Sequence, residues 1–419
     1  MERTFIMKNT NRVTTKEQLD SFLLENFKEV HSYIDQLQEN IPVPFYNSVD
    51  IRESSFKYAP VDNNLYPAGM NNLCKKDLSS FKKQIQKWRQ QYHIIGIIPE
   101  ANTRNLAYLD HLFKLKEVLI NGEEGTKSSD DVILLLPKEE LPEESFPLTL
   151  TSLSGYTLTI YELQTTQDNR LMAQKTPDEK ILIDAVILNH DQSKPLNIDW
   201  PNITTPVFPS PFLGWNTRKK TTHFLFYGQI VSDFCKRFSI EESLLQAEFD
   251  ICEGIDFSQS IGLEVLAEKI NKLQSRLKEG TKIFIKSNQG TYGMGIHVAD
   301  KGEDVLSFNR KIKNKLDIGK NKIKFSSVLI QEGIETILNY DQMPAEVCIY
   351  LSQGKSIGGF MRANKEKSTI ANLNSKGMVF KKYCLSELRE EDHMAKEIVY
   401  DVIARLSTTA CGLEILKGA

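Results

Sequence analysis

The chain is poor in the features that would tie it to a metal cluster, a secreted scaffold or a membrane. Its six cysteines (74, 235, 252, 348, 384 and 411) form no Cys-x-x-Cys pair and have no histidine at ligand spacing. That excludes a disulfide framework and argues against structural zinc, so reduced, mostly buried thiols are expected. The longest aliphatic runs, Ile94–Ile98 and Val132–Leu136, are strand length and cannot span a bilayer. The first ten residues hold no apolar stretch of signal-peptide length, so no membrane partner and a cytoplasmic location are expected. Neither sign of charge dominates. With 52 Lys and Arg against 55 Asp and Glu, the net charge is −3, which excludes a strongly basic nucleic-acid binder. Repeats and low-complexity tracts are absent too. What is present is ordinary globular composition, 40% hydrophobic and 26% charged, over 419 residues. At roughly 150 residues per domain, that length implies about three packed units.

Hydrophobic periodicity organises the chain. A capping box at Thr15 and Gln18 opens an amphipathic helix predicted over 15–39, and Pro42 and Pro44 end it. Residues 48–72 are polar and rich in Asn, Asp and Pro, and read as a long ordered loop with a binding role. Helix 77–91, strand 93–98, helix 104–121 and strand 131–136 follow, then a hairpin over 148–163 and a buried strand at 184–188. Strands alternating with helices predict an α/β unit with a largely parallel sheet. Four prolines between Asp199 and Pro211 mark a boundary. Helices are predicted at 220–238, 241–249 and 259–279. The last third is strand-rich α+β: strands at 282–286, 296–298, 327–332, 345–351 and 355–362, with helices at 303–316 and 386–415.

The most informative stretch is Lys286-Ser287-Asn288-Gln289-Gly290-Thr291-Tyr292-Gly293-Met294-Gly295. A lysine ends a strand, and three glycines then let backbone N–H groups approach a phosphate. A P-loop and a Rossmann fingerprint both need a helix after the glycines, whereas this loop runs into a strand. A protein kinase places its lysine after the glycine loop, and here the order is reversed. Downstream, Val328-Leu329-Ile330-Gln331-Glu332 is an apolar strand ending in polar residues, as a hinge beside an adenine would. Glu346, Arg362, Asn372 and Asn374 then offer a carboxylate, a guanidinium and two amides suited to a divalent cation and phosphate oxygens.

This order resembles the ATP-grasp ligases, an α/β fold in which two α+β subdomains clamp ATP. Longer blocks resemble the proteobacterial glutamate–cysteine ligase family: Pro42–Leu73, Ile98–Leu106, Leu188–Asp191, Gly214–Phe224 and Ile357–Met378. The resemblance implies ATP-dependent joining of the glutamate γ-carboxylate to the cysteine amine through an acyl phosphate, the first step toward glutathione. It implies an N-terminal α/β domain over 1–205, a helical subdomain over 206–280 and a C-terminal ATP-grasp domain over 281–419. By the same resemblance, Lys220 and Lys286 contact the ATP phosphates. Gly290, Gly293 and Gly295 form a lid, and Gln331 and Glu332 border the adenine or ribose. Glu346, Asn372 and Asn374 hold Mg²⁺, and Arg362 and Lys286 serve the chemistry. Ile370 and Ala371 stand where the family carries acids, so either Glu346 with Asp341 or Glu366 compensates for the loss, or metal and ATP binding are weakened. Substrate carboxylates would find Arg52, Lys57 or Arg104, and substrate ammonium groups Asp50, Asp62 or Glu100, with Asn64 nearby. His223, His297 and Cys348 read as structural. A ligase for another amino acid or amine, or a silent nucleotide binder, would share the same phosphate machinery.

Overall fold

A computed structural model describes residues 12–120, 131–257, 259–288, 296–310, 312–313, 327–383 and 394–418. The first amphipathic stretch forms two helices rather than one, α1 (Lys16–Glu25) and α2 (Phe27–Glu39). The break is at Asn26, whose side-chain amide donates to the Phe22 carbonyl at 2.8 Å and competes with continuation of the helix. The capping box at Thr15 and Gln18 is present as expected.

The polar segment after residue 45 is where the sequence reading needs most correction. It is two strands, β1 (Tyr46–Glu53) and β2 (Tyr58–Asn64), and every residue of β1 is buried. Alternation explains this. Val49 and Ile51 face a helical layer, with Asn47 hydrogen-bonded to Thr408 and Glu53 to Lys16, whereas Ser48, Asp50 and Arg52 point to the opposite side. Polar groups with partners on both faces dilute the hydrophobic alternation that normally announces a strand.

Helix 77–91 is likewise divided, into α3 (Lys75–Gln84) and α4 (Gln86–Arg89). Then come β3 (Ile95–Pro99), α5 (Leu106–Leu119), β4 (Val132–Leu136) and the expected hairpin, β5 (Leu148–Thr151) with β6 (Thr157–Thr165). Two strands that were not foreseen, β7 (Leu171–Thr176) and β8 (Glu179–Leu182), extend the sheet before β9 (Ala185–Asn189) and β10 (Val207–Phe208). The order is β10-β9-β3-β4-β6-β7-β8, parallel from β10 to β6 and antiparallel beyond.

α6 (Lys220–Phe238) matches its predicted span. The helix expected over 241–249 is instead a 3₁₀ turn (Glu242–Leu244) leading into a half-buried edge strand, β11 (Phe249–Glu253). α7 (Ser260–Gln274) covers the sheet β11-β14-β12-β13, built with β12 (Ile283–Ser287), β13 (Ile296–Ala299) and β14 (Ser327–Glu332). Of the helix expected over 303–316, residues Gly302–Ser307 form a 3₁₀ turn and residues 314–316 lie outside the described ones.

β15 (Asn339–Tyr340), β16 (Met343–Ser352), β17 (Lys355–Asn364) and β18 (Met378–Tyr383) precede the last helix, α8 (Met394–Lys417). Gln353 and Gly354, both at positive φ, make the two-residue turn between β16 and β17. The third sheet runs β18-β17-β16-β1-β2, so strands near residue 50 pair with strands near 350, across the divisions expected at 205 and 280.

Three cores result. One fills the parallel sheet, one lies between the third sheet and helices α1, α2, α6 and α8, and one lies under α7. The two faces of β1 therefore do different work. One is packed against helices, and the other floors a cleft. No helix among the described residues is long and apolar enough to cross a membrane.

Candidate active site

Cross-strand register builds the floor of the site. Asp50 on β1 lies opposite Asp62 on β2 and Cys348 on β16, and Glu346 on β16 lies opposite Arg362 on β17. Ion pairs run alternately across this surface. Arg52 Nε is 2.9 Å from Glu346 Oε2, Glu346 Oε1 is 3.3 Å from Arg362 Nε, and Arg362 Nη2 is 2.6 Å from Asp50 Oδ1. All four residues are buried. Burial works against the charge on Arg362, but Asp50 and Glu346 outweigh it and hold the guanidinium firmly protonated. Burial pushes Asp50 upward, opposed by Arg362 and assisted by Glu346 and Asp62.

A second wall comes from β12 and β14. Lys286 donates to Gln331 Oε1 at 2.7 Å and to the Val61 carbonyl at 2.9 Å. Burial brings its pKa down to about 8, against the pull of Asp62. Lys220, the first residue of α6, lies 3.1 Å from Asp62 Oδ1 and over the Trp215 ring. Burial raises Asp62, but Lys220 and Lys286 overcome it and hold the carboxyl at about 2. The start of α6 is fixed by Asn288. Its carbonyl accepts the Lys220 N–H and its side chain accepts the Thr221 N–H, both at 2.9 Å. The strand that carries Lys286 thus sets the position of Lys220.

Together these walls border a half-open cleft of about 600 Å³, counting the solvent-filled space at its mouth. Of the residues picked out from the sequence, Arg52, Asp62, Lys220, Lys286, Gln331, Glu332, Glu346, Asn372 and Asn374 all line it. They come from six separated segments of the chain. Val61, Phe284, Ile296 and Ile334 add an apolar wall. Beyond lies a larger half-open cleft of about 1610 Å³, again counting the solvent-filled space at its mouth, lined by Asn64, Glu100 and Arg362 among others, and sharing Asp50, Asp62 and Asn374 with the first. Arg362 therefore stands at the junction, in one cleft, with its ion-pair partner Glu346 in the other.

Some expected residues have other tasks. Lys57 and Arg104 line neither cleft. Lys57 Nζ is held 2.8 Å from Glu332 Oε2, and Arg104 is exposed. Arg52 lines the first cleft, but its guanidinium also donates to the carbonyls of Ile334, Thr369 and Ala371, so it positions Glu346 and the 369–371 backbone. The N–H groups of Glu332 and Gly333 donate to the Glu248 and Lys282 carbonyls, so neither amide is left for an adenine edge. Asn372 Oδ1 accepts the Asn374 N–H at 3.0 Å, which holds the turn presenting Asn374. Gly290, Gly293 and Gly295 lie outside the described residues.

Asp341 and Glu366, considered as substitutes for acids at 370 and 371, are exposed and line neither cleft, and Ile370 and Ala371 do not line them either. The carboxylates that line the first cleft beside Glu346 are Asp50, Asp62 and Glu332, the last already paired with Lys57. Cys348, read from the sequence as core, is buried and also borders the second cleft. None of the five described cysteines is in a disulfide, and His223, Cys411 and Glu414 approach one another as part of a buried cluster with Arg218.

The donor set fits a nucleotide with a hard dication. Carboxylate and amide oxygens are the ligands such an ion takes. Gln331 Nε2 is buried in the first cleft with no hydrogen-bond partner, a donor awaiting an acceptor. Arg362 Nε, near Glu346 but poorly aligned with it, is another.

The family model of glutamate–cysteine ligase matches residues 20–415. Among solved structures, the chain is similar to a protein of Methylobacillus flagellatus KT that carries the provisional description gamma-glutamylcysteine synthetase. The TM-score is 0.84 at 27% identity, over 99% of this chain and 100% of that one. D-alanyl-alanine synthetase A from Vibrio cholerae O1 biovar eltor str. N16961 matches at 11% identity and TM-score 0.40, covering 75% and 80%, too loosely to carry an argument. No curated protein matches the chain.

Proposed function

Because the chain belongs to the glutamate–cysteine ligase family, we propose that it joins the γ-carboxylate of glutamate to the amine of cysteine at the expense of ATP. We read the facing β12/β14 and β1/β16/β17 surfaces as an ATP-grasp clamp. The observation that carries this reading is the convergence of Lys220, Lys286, Gln331, Glu346 and Asn374 on one cleft that opens into a second. ATP occupies the first cleft, with its base against Val61, Phe284, Ile296 and Ile334 and its phosphates toward Lys220 and Lys286. The amino acids occupy the second. Cysteines without a disulfide among the described residues suit a reducing cytoplasm.

A carboxylate does not acylate an amine at neutral pH, so it is first made into a better electrophile. A γ-carboxylate oxygen attacks the terminal phosphorus, the bond to the bridging oxygen breaks, and ADP leaves. The cysteine amine, having lost a proton, then attacks the acyl carbon, and inorganic phosphate departs with the C–O bond. Little of this needs covalent help from the protein. Positioning and charge neutralisation dominate. Arg362, at the junction, offers two directed donors to phosphoryl or carboxylate oxygens that become more negative in the transition state. Glu346, Asp50 and Asn374 would hold Mg²⁺, which when bound neutralises phosphate charge.

The direct test measures ADP release with each amino acid omitted in turn. Release that needs glutamate but ignores cysteine would overturn the assignment. Lys286 gives a sharper check. Lys286→Met should raise the KM for ATP roughly 10- to 100-fold, the loss of one or two charged hydrogen bonds. Because Lys286 loses its proton near pH 8, the parent's KM for ATP should climb above that pH. Lys286→Arg, which stays charged, should flatten that rise. An unchanged ATP profile in both variants would remove Lys286 from the phosphates.

A further inference from the structure

The second cleft carries more negative charge than the junction chemistry uses. Four carboxylates line it, Asp50, Asp62, Glu100 and Asp191, against one guanidinium, Arg362. Asp50 and Asp62 belong to the junction. Glu100 directly follows β3, and Asp191 lies two residues past β9, and these strands pair in parallel with Pro99 opposite Asn189. The strand order turns round at this place. From β3 the chain winds outward through β4 to β6, then returns to β9 on the other side of β3 and continues to β10. In sheets wound in this way, connections diverge at the switch point and leave a crevice beyond the carboxyl ends of the strands, where ligands sit.

Glu100 and Asp191 are tied together within that crevice. The Asp191 N–H donates to Glu100 Oε1 at 2.8 Å, and Asp191 Oδ1 accepts the Ser193 N–H at 2.8 Å. Asp191 Oδ2 is buried and has no hydrogen-bond partner, in a residue only 7% exposed that borders the cleft. A buried carboxylate oxygen in that state calls for a cationic donor. Glu100 Oε2 lies 3.8 Å from His190 Nε2, and the His190 Nδ1 accepts the Gln192 N–H.

A primary ammonium meets the demand, and both amino acids of the reaction carry one. The two ammonium groups have opposite needs. The attacking amine must shed a proton, and a pair of carboxylates holds that proton on. The α-ammonium of the acyl donor stays charged throughout. We propose that Asp191 and Glu100 form the subsite that grips the α-ammonium of glutamate, and so separate an α-amino acid from a plain dicarboxylic acid. The assignment rests on the ligase reading above, with the γ-carboxylate reacting at the Arg362 and Asn374 end of the same cleft.

The experiment compares glutamate with glutarate, which lacks only the α-amino group, as acyl donor for the full-length enzyme with ATP and cysteine. In Asp191→Asn the ratio of kcat/KM for glutamate over glutarate should fall on the order of 30-fold, one charged hydrogen bond. The KM values for ATP and cysteine should stay within about twofold. Asparagine keeps the Oδ1 acceptor for Ser193. Glu100→Gln keeps the acceptor for Asp191, should move the ratio the same way, and serves if Asp191→Asn does not fold. An unchanged ratio in a parent that turns over glutamate and cysteine overturns the subsite and leaves the ligase reading standing. So does a rise confined to the KM for cysteine. A parent that releases no ADP with glutamate overturns the ligase reading itself, and the subsite with it.

Discussion

Arg362→Lys should lower kcat by roughly a hundred- to a thousandfold, the effect of losing one directed donor to a developing anion, with the KM for ATP within about threefold. The reason lies in what the guanidinium spans. Its fork reaches Asp50 at 2.6 Å and Glu346 at 3.3 Å from different strands, and it stands where the two clefts meet. Lysine supplies the charge at one point only and cannot bridge two carboxylates while presenting a donor to a third oxygen. Alanine would be the less informative change. It would leave Asp50 and Glu346 facing each other without their shared cation, which destabilises a buried cluster by about 3–5 kcal/mol. A coupled assay of ADP release, with a melting curve beside it, separates chemistry from folding. A lysine variant with the parent's kcat would show that Arg362 only braces the sheet.

The readable parts of this molecule were those where one side-chain property dominates. α6 is legible at its full length because apolar residues recur on one face, and β3, β4 and β9 because their residues are apolar but for Asn189 at the end of β9. Lys286 stood out because a lysine ending an apolar strand before glycines is unusual. β1 and β2 failed the same test for a physical reason. Their buried polar groups are satisfied by partners up to about 360 residues away, such as Thr408 for Asn47 and Ser407 for Asn63. No local window contains those partners. The remaining signal was Val49 and Ile51 alternating with Ser48, Asp50 and Arg52, a period of two with a polar stripe. Residue type alone also could not separate Lys57, spent on Glu332, from Lys220, which faces the cleft. Asp191 fell inside a family-like block but carried no functional reading, because only the strand order places it beside Glu100.

Glu414→Gln should cost about 3–5 kcal/mol of stability at pH 7, the usual result of breaking a buried charge pair from one side. Glu414 is fully buried, 2.7 Å from Arg218 Nε and 2.7 Å from His223 Nδ1, and Arg218 has almost no exposed surface of its own. Burial raises the Glu414 carboxyl, but Arg218 and His223 outweigh it and hold the pKa at about 2. An ordinary glutamate titrates near 4.5, so its folded value is depressed. The stabilisation is therefore complete above about pH 4.5 and is lost as the pH falls through about 2. The gap in unfolding free energy between parent and variant should narrow by about 2 kcal/mol between pH 7 and pH 3. Burial also lowers His223, so the unfolded chain takes up that proton first below about pH 6.5 and the parent weakens on acidification in the same sense. The cluster reaches the active site through Arg218, whose Nη1 donates to the Asn63 carbonyl at 2.6 Å, one residue after Asp62, and which precedes Lys220 by two residues. A weakened cluster should then raise the KM for ATP at temperatures well below the melting transition, because the Lys220–Asp62 pair loses its anchor. Urea unfolding of both proteins at the two pH values decides the matter. Equal stability at pH 7 would show that Arg218 and His223 need no carboxylate beside them.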